Sequence, residues 1–100
     1  MTVITQEDQV MKVEISGDID HHTAREMRQS IDLELERVRP QELILDFKHV
    51  TFMDSSGIGL VMGRYKQMQA LGGTLQVVNL SNHIRKVMVL AGLDKLAVLK

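Results

Sequence analysis

The 100-residue sequence has no cysteine, which excludes a disulfide framework, a thiolate metal site and a thiol nucleophile. Tryptophan is also absent and aromatic residues make up only 3%, so base stacking is poorly supplied. With 12 Lys+Arg against 13 Asp+Glu there is no basic excess to neutralise phosphates, and nucleic acid is not an expected partner. No apolar run approaches the roughly 18 residues of a membrane span, and Met1–Glu7 lacks the basic flank and apolar stretch of a signal peptide. A cytoplasmic protein with no membrane partner is expected. Proline occurs once, at Pro40, and no linker, repeat or low-complexity tract divides the chain. What is present is a 44% apolar fraction, and a chain this long buries roughly 60–70% of its unfolded surface, so residues 1–100 are expected to form one domain.

Thr2–Thr5 and Val10–Ser16 are β-branched runs joined by Gln6-Glu7-Asp8-Gln9, which predicts an antiparallel hairpin. In the second run Met11, Val13 and Ile15 alternate with Lys12, Glu14 and Ser16, giving a strand with one dry and one wet face, ended by Gly17-Asp18. From Thr23 the period changes. Ala24, Met27, Ile31, Leu35 and Val38 form one helical stripe, with Thr23 and Glu26 as a capping box and Pro40 as the stop. Leu43–Phe47 reads as a central strand covered on both faces. Ile58, Val61, Met62, Tyr65 and Met68 define a second helix, with Arg64, Lys66 and Gln67 off its apolar face and Gly72-Gly73 at its end. Thr74–Leu80 reads as a strand. Ser81 then caps a third helix that turns Ile84, Val87, Met88 and Ala91 inward and closes at Gly92, and Lys95–Leu99 is a candidate fifth strand. The expected fold is α/β: a single mixed, mostly parallel sheet of four to five strands with helices packed against it as crossovers.

The unusual chemistry is concentrated in Thr51–Gly59, between a buried strand and a helix start, where sites of α/β folds form. The plain reading is that Asp54 or a serine caps the helix. Against it, Gly57 and Gly59 in the first turn cost roughly 1 kcal/mol each relative to Ala, which calls for close backbone approach or an accessible serine in return. Gly57-Ile58-Gly59 is followed by Gly63, one residue later than a dinucleotide-binding loop requires, and no phosphate-loop Gly-Lys-Ser/Thr occurs. Neither Ser55 nor Ser56 lies in the G-x-S-x-G elbow of a hydrolase, although His21, His22, His49 and His83 are available as bases. His21-His22 is a weak metal pair because adjacent residues at a helix entry point apart. A small-nucleotide or anion-binding module at this helix start, and less so a serine hydrolase, remain as alternatives.

Leu43–Phe47, Val50–Gly59 and Gly63–Gln67 together closely resemble the STAS domain of anti-sigma factor antagonists, and Gly17–Ala24 resembles the second signature of that family. The resemblance implies a phosphorylation switch without a cofactor, not an enzyme. In that family the unphosphorylated antagonist binds an anti-sigma factor and releases a sporulation sigma factor. The anti-sigma factor is itself a serine kinase with bound nucleotide, and a serine phosphatase reverses its action. The phosphorylated residue is the second serine of Asp-Ser-Ser-Gly, which corresponds to Ser56. The partner-binding residues carried over are Asp54, Ser55, Ser56 and Gly57, together with the loop Asp20, His21, His22 and Thr23. Family members commonly continue past the position of Lys100 into a final helix.

Overall fold

The computed structural model describes residues 1–96 and 98–100. Strands β1 (Thr2–Glu7) and β2 (Val10–Ile19) pair antiparallel around Asp8-Gln9. The turn is two residues and not four, because Gln6 and Glu7 continue the ladder opposite Met11 and Val10. Asp8 takes the left-handed φ of 56° that the tight turn needs, a conformation Asp tolerates better than most side chains. Gly17-Asp18 does not end β2. The register with β3 slips between Glu14 and Ser16 and again between Gly17 and Asp18, so the glycine sits in a bulged stretch and pairing resumes to Ile19.

Helix α1 (His21–Val38) starts earlier than the Thr23 cap expected from sequence. Asp20 is the N-cap: its carboxylate accepts the Thr23 N–H at 2.9 Å, and Thr23 Oγ1 accepts the Asp20 N–H at 2.9 Å. Thr23 is therefore the inner half of a capping box, and Glu26 has no part in it. Of the predicted stripe, Ala24, Met27, Ile31 and Leu35 are buried and Val38 is half-buried, and the helix gives way at Arg39 just before Pro40.

Strand β3 (Glu42–Met53) runs parallel to β2 and to β4 (Thr74–Val78), giving one mixed sheet in the order β1-β2-β3-β4. Helices α2 (Ser55–Ala70) and α3 (Asn82–Leu90) and a 3-10 turn at Leu93–Leu96 complete the chain. Met11, Val13, Leu43, Leu45, Leu75 and Val77 lie in register and are buried on one face. The opposite face carries Lys12, Glu14, Ile44 and Gln76, only half-buried, so β3 is not covered on both faces as its apolar run suggested. A polar network takes the place of a second helical layer. Asp46, 6% exposed, accepts from Asn79 Nδ2 at 2.9 Å and from the Lys48 N–H at 2.9 Å, with Lys12 Nζ 3.5 Å away. Burial pushes the Asp46 carboxyl up, but these three partners outweigh it and hold it below the ordinary carboxylate range.

β4 stops at Val78 and not at Leu80, because Asn79 turns left-handed (φ 59°) to reach Asp46. Ser81 caps α3 as expected, accepting the Ile84 N–H at 3.2 Å. Ile84 and Met88 are buried and Val87 is half-buried, but Ala91 is the exposed C-cap and does not turn inward. The candidate strand Lys95–Leu99 is instead the end of the 3-10 turn followed by an isolated bridge between Val77 and Leu99, with Ala97 outside the described residues. In α2, Leu60 and Arg64 are buried alongside Val61 and Met68, so Arg64 is not on the wet side of the helix. No helix among the described residues is long and apolar enough to cross a membrane.

Candidate functional site

Strands β2 and β3 finish side by side, Ile19 opposite Met53, and each leads within one residue into a helix. The starts of α1 and α2 therefore sit together at the carboxyl ends of two parallel strands, the position where α/β sheets build their sites. Two hydrogen bonds tie the two segments, the Asp54 N–H donating to Ile19 O at 3.0 Å and Thr51 Oγ1 to Asp18 Oδ1 at 2.8 Å, while Thr23 Oγ1 donates to Asp18 O at 2.8 Å within the first segment. The loop of Asp20, His21, His22 and Thr23 thereby starts beside the turn of Asp54, Ser55, Ser56 and Gly57, although the two are about 34 positions apart in sequence, while Thr23 itself lines a separate recess with Met1 and Thr2. The amide of Thr23 is the largest influence on Asp20, and it holds that carboxyl below its usual value against a smaller opposing effect of desolvation. His21 and His22 are exposed, and His22 Nε2 lies 3.6 Å from Glu26 Oε1.

At the start of α2 the capping role falls to Asp54, whose Oδ1 accepts the Ser56 N–H at 2.7 Å. Neither serine is needed as a cap, and no hydrogen bond among the described residues holds either hydroxyl. Ser55 is exposed and Ser56 half-buried. The two glycines differ in their reasons. A Cβ at Gly57 would run into the Met53 side chain, so that glycine marks close packing between β3 and α2, whereas a Cβ at Gly59 would meet nothing within 4 Å.

The open space over Gly59 belongs to a cavity of about 390 Å³ between the two helices. His21, Ala24, Arg25 and Arg28 line it from α1, and Ser56, Gly59 and Leu60 from α2. Ser55 is not on this wall. Below it, Arg64 is 6% exposed and its Nε stands 3.0 Å from Asp32 Oδ1, while the Nε–H itself is aimed at Gln67 Oε1 at 3.2 Å. Burial lowers the Arg64 pKa most, Asp32 opposes this, and the charge of Arg28 lowers it further. His21 shares the cavity with Ser56, but no hydrogen bond joins them and no carboxylate orients the ring, so the relay of a serine hydrolase is missing among the described residues. Nor do the described residues bring three His, Asp or Glu side chains together around a metal position.

Known proteins share this fold. A family model for the STAS domain matches residues 1–99, and an anti-sigma F factor antagonist of Paenibacillus polymyxa is 34% identical over 87% of this chain and 74% of its own length. This chain belongs to the STAS-domain family of anti-sigma factor antagonists. The solved structure of the anti-sigma factor antagonist SpoIIAA in its unphosphorylated form matches this STAS domain with a TM-score of 0.88 at 28% identity, over 100% of this chain and 86% of that one. The Bacillus cell fate determinant SpoIIAA in its phosphorylated form matches with a TM-score of 0.80 at 28% identity, over 100% and 89%. The sheet order, the three helices and the paired helix starts described above are thus those of a STAS domain. Arg25, Arg28 and the buried Arg64 were not singled out from sequence as site residues. A signal was there, since His21, Ala24, Arg25 and Arg28 follow the i, i+3, i+4, i+7 spacing of one helix face.

Proposed function

We propose that this STAS domain is an anti-sigma factor antagonist of the sporulation type, active when unphosphorylated and switched off by phosphorylation of Ser56. Its partner is an anti-sigma factor that carries ATP and acts as a serine kinase, in the cytoplasm. Binding displaces the sigma factor held by that partner. The γ-phosphoryl group of ATP passes to Ser56 Oγ, which loses its proton, and ADP leaves; a serine phosphatase restores the hydroxyl by hydrolysis. In this reading the domain is the substrate of the chemistry and not its catalyst. Asp20, His21, His22 and Thr23 form one part of the docking face and Asp54, Ser55, Ser56 and Gly57 the other.

The observation that carries this reading is the placement of Ser56. Asp54 performs the capping, the Ser56 hydroxyl is left without a structural role, and it stands on the cavity wall shared with α1. Phosphorylation there adds about −1.5 to −2 charges beside Asp54, charges that must be desolvated for a partner to close over them. The switch acts by charge and bulk on the docking face, since a domain with a single core offers no second packing to move into. Peptide mass mapping after incubation with kinase and ATP tests the acceptor. Phosphate is expected on Ser56, absent in Ser56→Ala and at least partly retained in Ser55→Ala; phosphate on Ser55 alone contradicts the assignment.

A further inference from the structure

We propose that Arg25 and Arg28 form a guanidinium clamp that captures the Ser56 phosphate within the same molecule. The inference rests on Ser56 being the acceptor and concerns what happens to the phosphate once it is there. Arg25 and Arg28 lie three residues apart on α1 and line the cavity that Ser56 lines from α2. Among the described residues neither forms an ion pair. Asp32, one turn beyond Arg28 and its natural helical partner, is instead engaged by Arg64 at 3.0 Å. The charged and titratable groups around the cavity are His21, Arg25 and Arg28 from α1, with Asp20 and Asp54 in the two capping positions and the Arg64–Asp32 pair below; among the described residues no carboxylate lines the cavity itself.

Two of the first amides of α2, ordinarily the donors for a phosphate at a helix start, are already in use. The Ser56 N–H is taken by Asp54 Oδ1 at 2.7 Å and the Gly57 N–H by Asp54 O at 3.0 Å. With those two amides engaged, the phosphate takes its charged donors from the arginines across the cavity. There is room for it to do so, because Gly59 leaves the α2 wall without a side chain. Guanidinium groups suit such a site, since each offers two parallel N–H donors to a phosphate and stays charged at any working pH. In the phosphorylated state the clamp ties α1 to α2, occupies both arginines and shields the phosphate from solvent and from a phosphatase.

The test uses the full chain with phosphoserine installed at position 56 during translation, so that it does not depend on the kinase. The second ionisation of the phosphate is followed by phosphorus NMR in the otherwise unaltered protein and in Arg25→Gln, Arg28→Gln and the double variant. Glutamine keeps helix propensity at these exposed positions. The clamp predicts a midpoint about one pH unit lower in the unaltered protein than in the double variant, with each single variant between them. It also predicts that phosphoserine raises the melting temperature only when the arginines are present. Coincident titrations in all four proteins overturn the clamp, whether or not Ser56 is the kinase's acceptor. Failure of the kinase to modify Ser56, seen by mass mapping, instead overturns the acceptor reading and leaves the titration to judge the clamp on its own.

Discussion

Gly57 and Gly59 lie two residues apart in the same helix, and the same substitution at each should change stability in opposite directions. Replacing a helical glycine by alanine restricts the unfolded chain and gains about 1 kcal/mol. At Gly59 nothing opposes that gain, since the added Cβ meets no atom within 4 Å. Gly59→Ala should therefore raise the melting temperature by about 4–8 °C, the shift that 1 kcal/mol produces in a domain of this size. At Gly57 the Cβ collides with Cγ and Sδ of Met53 and lies 3.5 Å from Ile19 Cγ2. Met53 is buried, so overpacking of about 1–3 kcal/mol works against the helical gain, and its middle value of about 2 kcal/mol leaves a net loss of about 1 kcal/mol. Trimming the obstacle should recover part of it: Met53→Ala combined with Gly57→Ala should be less destabilised than the two single changes summed, by about 0.5 kcal/mol or more. Urea unfolding of the four variants gives the comparison. If both alanine substitutions stabilise, or both destabilise, the picture of the α2 entry as a close contact at Gly57 and an open wall at Gly59 is wrong.

Three further outcomes follow from the same geometry. Asp20→Asn keeps an effective N-cap and should leave the melting temperature almost unchanged while weakening partner binding by calorimetry, whereas Asp20→Ala should also lose about 1 kcal/mol of stability through the missing cap. The Asp46 carboxyl is held below its unfolded value, so its contribution to stability is present above that value of about 3.9 and disappears as pH falls through the lower folded one; Asp46→Asn should flatten the decline in unfolding free energy between about pH 5 and pH 2. Asp32→Ala strands the buried Arg64 guanidinium, whose Nη1 already has no partner among the described residues, and should cost more than about 1 kcal/mol but less than a fully buried pair because Asp32 is 37% exposed; Arg64→Met should be closer to neutral in the same unfolding assay.

What could be read from sequence was what local periodicity encodes. Met11, Val13 and Ile15 alternate because one face of β2 is buried, and Ala24, Met27, Ile31 and Leu35 recur because one face of α1 is, so element type and order followed directly. Asp54-Ser55-Ser56-Gly57 was legible for a similar reason, since a cap and the residues after it are neighbours in the chain. The choice between Asp20 and Thr23 as the cap of α1 was not. Both are capping residue types three positions apart, and in a reciprocal box each bonds the other's backbone. The wet face of β3 was hidden for a different reason: Asp46 and Asn79 meet across 33 residues, and only the folded sheet brings them together. Arg64 looked like a surface residue because its burial depends on α1 lying over it. The cavity depends on the same packing, which is why the shared face of His21, Ala24, Arg25 and Arg28 was not singled out from sequence.

On the function proposed above, the surface around Ser56 binds an anti-sigma factor, and one phosphate on that serine weakens the interaction at least tenfold. Calorimetric titration of the cognate anti-sigma factor with the unmodified chain and with the chain carrying phosphoserine at position 56 tests it most directly. Saturable binding of the unmodified form is expected, with an affinity at least tenfold lower for the phosphorylated one, a difference of about 1.4 kcal/mol or more. Equal affinities for the two forms, with both shown to be folded, would contradict it.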